Sequence, residues 1–201
     1  MIANIERVSR LFLTKTSWAI TLAIVFGIMM WKFPFLPRQL SAIDGYTIGL
    51  PAFALALLPN TRRYVPGFLK RSLLYCVPSG LIIGVAVIIM DMFIRNMGGW
   101  SEPGSQTATA FLLSITGVWV LTGLARPLDR WRLTIVVGMY VLFAGMFLVP
   151  LARDFFGFTW LSAPELAVPL VAGGIASFGI SVVKFLVNRM TATHASASAS
   201  D

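Results

Sequence analysis

One cysteine, one histidine and eight acidic residues in 201 leave this chain little with which to build soluble chemistry. Cys76 has no partner, which excludes an internal disulfide, and inside an apolar run it reads as a small core residue. His194 stands in a polar tail. With one Cys and one His, neither a zinc site nor a His-dependent catalytic triad is expected within the chain. Charged residues make up 12%, against about 25% in soluble domains, so too little polar surface exists to face water. Hydrophobic residues reach 57% and the mean hydropathy is +0.82. The net charge of +8 invites a nucleic-acid reading, but the basic residues form no stripe with interleaved aromatics. They sit between apolar runs, where a membrane protein carries them, so the expected partner is the lipid bilayer and no nucleic acid. Met1 to Arg10 carries Glu6, Arg7 and Arg10, and the apolar run behind it is too long for a signal-peptide core, so no signal peptide is expected.

A membrane helix needs about 20 mostly apolar residues. Six such runs are present: Leu11–Trp31, Leu40–Pro59, Leu69–Phe93, Thr107–Ala125, Leu133–Ala152 and Leu166–Val187. The segments between them read as turns. Phe33-Pro34-Phe35-Leu36-Pro37 stops the first helix, because proline lacks the amide donor and restricts the residue before it. The expected fold is all-α, a polytopic transmembrane bundle of six helices filling residues 1–190, with an Ala/Ser-rich tail over 191–201 expected to be disordered. Arg7, Arg10, Arg62, Arg63, Lys70, Arg71, Arg126, Arg130, Arg132, Lys184 and Arg189 fall on one side of these spans. Only Lys32, Arg38, Arg95 and Arg153 fall on the other. The excess marks the cytoplasmic side and puts both termini there. Trp31, Phe33, Phe35, Trp100, Phe155, Phe156 and Trp160 crowd the opposite face as an interfacial belt. No internal repeat points to an inverted-repeat transporter.

Most of the spans are bland; the first two are not. In the first, Thr14, Ser17 and Thr21 share one helix face, with Lys15 and Thr16 beside them. The second holds Asp44, an acid well inside a span, with Thr47 one turn on. Pro51 withholds a donor from the Thr47 carbonyl, and Gly45 and Gly49 make the turn deformable. A broken helix in lipid survives only where protein or a wet cavity satisfies the freed groups. A carboxylate, a hydroxyl and free carbonyls within one turn are the oxygen ligands a hard cation takes, and acids at membrane depth default to function. Other readings stay open: Lys15 snorkelling to the interface, or a structural Lys15–Asp44 bridge with Pro51 a mere kink. Elsewhere, Asp91 sits near the outer end of its helix, where it is expected to snorkel. Gly80 with Gly84, and Gly173 with Ser177 and Ser181, read as helix-packing pairs. Met29, Met30, Met90 and Met92 read as packing residues rather than a soft-metal relay.

Several of these stretches carry a family resemblance. Asn4-Ile5-Glu6-Arg7-Val8 before an apolar helix, the turn Phe33–Pro37, Thr47-Ile48-Gly49-Leu50-Pro51-Ala52, Leu55 and then Pro59-Asn60 resemble helices five and six of P-type cation-transporting ATPases. The likeness is nearest to the actinobacterial and mycobacterial calcium-linked branch. It spans residues 1 to about 190, specific in the first two helices and generic in the last four. It implies the C-terminal membrane half of an ATP-driven pump in the cell membrane, with helices one to four and the catalytic head as partners. ATP and Mg2+ would act on that head, and the cargo would be a cation such as Ca2+.

Asp44 falls at an Asn position of the family's helix-six motif, Thr47 at its Thr and Ile48 at its Asp. Thr16 falls at the family's helix-five Asn and Ala19 at its Glu, while the helix-eight Glu has no counterpart. With ligands lost at three places, one divalent ion, or a different ion, fits better than a two-calcium site; Asp44, Thr47 and the Thr47 carbonyl would coordinate it, with Thr16 and Ser17 assisting. Lys15, Pro51 and Gly49 would support the site, Lys15 as a resident counter-cation. The family's Asp-Lys-Thr-Gly-Thr, Thr-Gly-Glu and Gly-Asp-Gly-x-Asn-Asp motifs and any P-loop are absent from the sequence, so these residues contain no catalytic site and bind no cofactor of their own. Met1 stands where a mid-protein apolar residue is expected, which reads as a truncated or split form or as a misassigned start. A secondary carrier or channel with a Lys15–Asp44 relay, or a membrane scaffold, is the competing function.

Overall fold

The computed structural model describes the backbone of residues 2–57 and 68–197, and the side chains of residues 6–57 and 68–190. Arg62 and Arg63, counted above on the basic side, lie outside the described residues, as do Pro59, Asn60 and Ser198–Asp201. The described chain is helical: α1 (Ile2–Ile28), α2 (Pro37–Asp44), a π-helical turn (Gly45–Gly49), α3 (Leu50–Leu57), α4 (Phe68–Met97), α5 (Glu102–Ala125), α6 (Arg130–Leu148), α7 (Pro150–Phe156) and α8 (Ala163–Ala197). Six stretches are long and apolar enough to cross a membrane: Glu6–Ile28, Pro37–Leu57, Phe68–Met97, Glu102–Ala125, Arg130–Leu148 and Ala163–Met190.

Local chemistry sets the helix ends. Pro37 opens α2, where its missing donor costs nothing, and the Gln39 side chain accepts from the Leu36 amide at 3.0 Å. Ser101 Oγ accepts from the Gly104 amide to start α5, and Asp129 does the same for Arg132 at the start of α6. The fifth apolar run, expected to continue to Ala152, ends at Leu148. Pro150 cannot continue a helix and instead opens α7. Gly157 closes α7 at φ 71°, a conformation that suits glycine. Arg38 crowds it, since a Cβ there would meet the guanidinium at 2.2 Å. The last helix runs on past Val187 to Ala197, further than the sequence reading carries it.

α5 is the central helix, packing on α8, α4, α6 and α2, whereas α6 lies at the periphery. Accordingly 67% of the α5 apolar window is buried and only 17% of that of α6. The tightest pair is α1 against α4. A Cβ at Gly80 would stand 2.4 Å from Ser17 Cβ and 2.7 Å from the Thr14 carbonyl, and one at Gly84 would stand 2.9 Å from Thr21 Cβ. Lipid offers no hydrophobic force between helices, so small residues and close backbones hold them. Ser17 Oγ adds a hydrogen bond to the Val77 carbonyl at 3.1 Å. At the end of the bundle away from the α1 N-terminus, Phe26, Trp31, Phe33 and Phe35 stack edge to face or tilted, and Arg95 lies over Trp31 at 5.2 Å. The buried amide of Gln39 donates to the Gly157 carbonyl and ties α2 to the loop after α7.

One expectation is overturned here. Asp91 does not snorkel: it is 4% exposed and accepts from Arg95 Nε at 2.6 Å. The two are one helical turn apart, so the arginine reaches back over the acid and out to the aromatic cluster, and the acid need not leave the bundle.

Candidate functional site

The π-helical turn makes the second span unusual. The Leu50 amide donates to the Gly45 carbonyl five residues back, and Pro51 has no amide to give to Thr47 on the α register or to Tyr46 on the π register. One extra residue is thereby wound into the turn that begins at Asp44. Such bulges recur at functional sites because they re-aim side chains without breaking the helix. Tyr46, wholly buried, is anchored from this turn to α5: its hydroxyl donates to Ser114 Oγ, which donates to the Ala110 carbonyl at 2.6 Å. Thr47 is anchored too. Its hydroxyl donates to the Ile43 carbonyl at 2.7 Å, and its methyl sits where Gly117 leaves room. A Cβ on Gly117 would come within 2.7 Å of Thr47 Cγ2.

Asp44 emerges beside this anchored turn and forms a salt bridge with Lys15. Both lie in the middle of their spans, Asp44 within Pro37–Leu57 and Lys15 within Glu6–Ile28. A lone charge at that depth costs about 2.5–3.5 kcal/mol on insertion scales; pairing removes the net charge. The pair borders a cavity of about 30 Å³ between α1, the π turn and α5. Its polar walls are Asp44, Lys15, Thr47, Thr14 and Thr116, and its apolar walls include Trp18 and Ile48. A buried water needs about 10–15 Å³ of such space and several polar partners, so the cavity has room for a water or one stripped ion.

The structure divides the expected site residues. Asp44, Thr47 and Lys15 meet at the cavity, and Pro51 and Gly49 shape the turn beside it. Thr16 does not meet them: its side chain is exposed on the other face of α1 and donates to its own helix at Phe12. Ser17 points at α4, where its hydroxyl is taken by Val77. The polar stripe of α1 therefore splits by function, Ser17 and Thr21 packing against glycines and Thr14 with Lys15 facing the cavity. Thr14 and Thr116 are the polar wall residues that the sequence reading left out of the site. Thr14 was visible as the first member of the stripe, one residue from Lys15. Thr116-Gly117, in the middle of an otherwise bland span, gave no signal that singled it out. Ile48, aligned by resemblance with a family aspartate, forms part of the apolar wall. Among the described residues no three His, Cys, Asp or Glu side chains converge on a point, so any cation here would rest on one carboxylate, hydroxyls, carbonyls and water.

Fold and seam together define a multi-pass helical membrane protein with a charged, cavity-bearing seam at mid-depth. No family model matches the chain. It is 36% identical over 198 residues to a calcium-transporting ATPase, CtpE, of Mycobacterium bovis, covering 92% of this chain and 24% of that protein. The Mycolicibacterium smegmatis CtpE is 36% identical over 200 residues, 92% of this chain and 25% of that protein. A probable cation-transporting ATPase, exp7, of Streptococcus pneumoniae is 28% identical over 200 residues, 96% of this chain and 25% of that protein. The chain is thus similar to part of these cation-transporting ATPases and spans about a quarter of the length of the curated relatives it matches.

Proposed function

We propose that this chain is the cation-translocating membrane part of an ATP-driven P-type pump, and that Asp44 is its ion-binding carboxylate. The observation that carries the reading is the placement of Asp44: within a span, at the start of a π-helical turn, bordering a small cavity lined by three threonines, and held by an ammonium rather than by an arginine fork. A lysine is a compact, mobile counter-charge. Asp44 is neutralised in turn by Lys15 and by the cargo cation, so the carboxylate is never left bare in lipid. Thr47, Thr14 and Thr116 supply neutral oxygens, and Pro51 with the π turn keeps backbone carbonyls available. Thr16, named from the resemblance, and Ser17, from the polar stripe, have a smaller part, since neither faces the cavity. Calcium is the cargo the printed names of the relatives favour, and a hard divalent cation suits an all-oxygen site.

ATP hydrolysis, with its Mg2+, belongs to a catalytic head whose motifs these residues do not contain, acting together with further membrane helices. The excess of Lys and Arg at one end of the bundle favours a cytoplasmic position for both termini, in the cell membrane. Joined to the catalytic part of a related pump, Asp44→Asn abolishes cation-stimulated ATPase activity; unchanged stimulation refutes the assignment. The Lys15–Asp44 bridge also suits a second reading, a proton or ion relay in a self-sufficient carrier. Cation flux through the purified chain in liposomes without ATP would favour that one.

A further inference from the structure

We propose that the basic end of the bundle holds a phosphate-bearing anion in a second cavity, between α4, α5 and α8. This cavity, of about 230 Å³, is lined by Lys184 and Arg126 and by Trp119, Thr122, Ser181 and Tyr75, among others; Trp119, Thr122 and Ser181 already donate to Ser181, Val118 and Ser177, so the two cations are what an anion would meet. A smaller one of about 90 Å³ shares Tyr75 and Lys184 and adds Arg10 and Arg71. Among the described residues no Asp or Glu lines either. Glu6 serves Arg10 at 2.8 Å and stands 4.0 Å from Arg71. Among the described residues no carboxylate pairs with Lys184 or Arg126. Two cations thus border one space with no protein anion between them, an arrangement that repels itself unless a counter-ion enters.

Capping explains part of the cluster. Lys184 Nζ donates to the Gly123 carbonyl, one of the last four of α5, where a cation is welcome. That contact uses one of three ammonium donors, and it accounts for neither Arg126 nor the cavity. The volume suffices for a phosphate group, since a water occupies about 30 Å³ in the liquid. The rim is partly apolar: Trp119 and Phe185 are exposed on the flank of the bundle, where acyl chains run. Basic pockets between membrane helices take anionic headgroups in this way.

The test is native mass spectrometry of the whole purified chain with phosphatidylglycerol, phosphatidylcholine or inorganic phosphate. Phosphatidylglycerol is expected to be retained ~10- to 30-fold over phosphatidylcholine, from two cations at the surface-charge scale for lipids. Arg126→Gln with Lys184→Gln is expected to remove that preference, whereas Asp44→Asn, at the other cavity, leaves it intact. Because Lys184 also caps α5, Arg126→Gln alone is measured too and is expected to lose part of the preference with an unchanged circular dichroism spectrum. Inorganic phosphate that competes with the lipid would make the ligand a soluble phosphate at the same site. No preference for the anionic lipid and no phosphate binding, or a preference that survives both substitutions, overturns the proposal.

Discussion

Gly80→Ala tests the packing that carries Lys15 to its place. The added methyl would stand 2.4 Å from Ser17 Cβ, 2.7 Å from Ser17 Oγ and 2.7 Å from the Thr14 carbonyl. Carbon atoms prefer about 3.5–4.0 Å, so α1 must retreat by roughly an ångström, and a backbone oxygen cannot swing aside as a side chain can. Overpacking costs about 1–3 kcal/mol, here towards the upper end. The stretched Ser17–Val77 bond adds about 0.6 kcal/mol, the mean for polar contacts between membrane helices. At about 2–4 °C per kcal/mol for a chain of this size, the midpoint should fall by roughly 6–14 °C. Cys76 reports it directly: it is the one cysteine, fully buried, and its thiol donates to the Arg10 carbonyl across the same interface. A thiol-reactive fluorophore that labels on unfolding therefore reads the opening of α1 from α4. Gly138→Ala is the control, because nothing lies within 4 Å of a Cβ there and alanine favours a helix by up to about 1 kcal/mol over glycine. Equal midpoints for the two variants would refute the close α1–α4 approach.

Three further outcomes follow from the same geometry. Gly117→Ala pushes its methyl into Thr47, so it is expected to weaken cation binding more than it lowers the thermal midpoint, read by comparing the two on one preparation. Asp91→Asn loses a charge-assisted hydrogen bond to an arginine, with a cost of about 1.5–3 kcal/mol, checked by thiol-labelling melts. Gln39→Leu strands the Leu36 amide and the Gly157 carbonyl at once; a loss of about 2 kcal/mol or more is expected, with faster hydrogen exchange at Leu36.

The existence and order of the spans were legible because lipid imposes one rule, about 20 apolar residues per crossing, and low charge makes the runs stand out. Asp44, Thr47 and Lys15 were legible for the converse reason: polar groups at that depth are conspicuous. The rest depended on rotation about helix axes. Thr14, Thr16 and Ser17 are neighbours in sequence, yet about 100° per residue sends them to a cavity, to the outside and into a helix interface, and no pattern in so uniformly apolar a span marks which is which. The π turn adds a second blind spot, since its extra residue shifts the register by which the Pro51 gap was assigned to Thr47. Asp91 shows the same limit: position along a helix was readable, but the face it turns inward was not.

Trp18 lines the cavity beside Asp44 and serves as an internal probe for the most direct measurement, titration of the purified chain with Ca2+ while its fluorescence is followed in wild type and Asp44→Asn. The expected result is a saturable change in the wild type, lost in Asp44→Asn and in Trp18→Phe. A saturable change that persists in Asp44→Asn, or none in the wild type, would contradict the assignment of Asp44 as the ion-binding carboxylate.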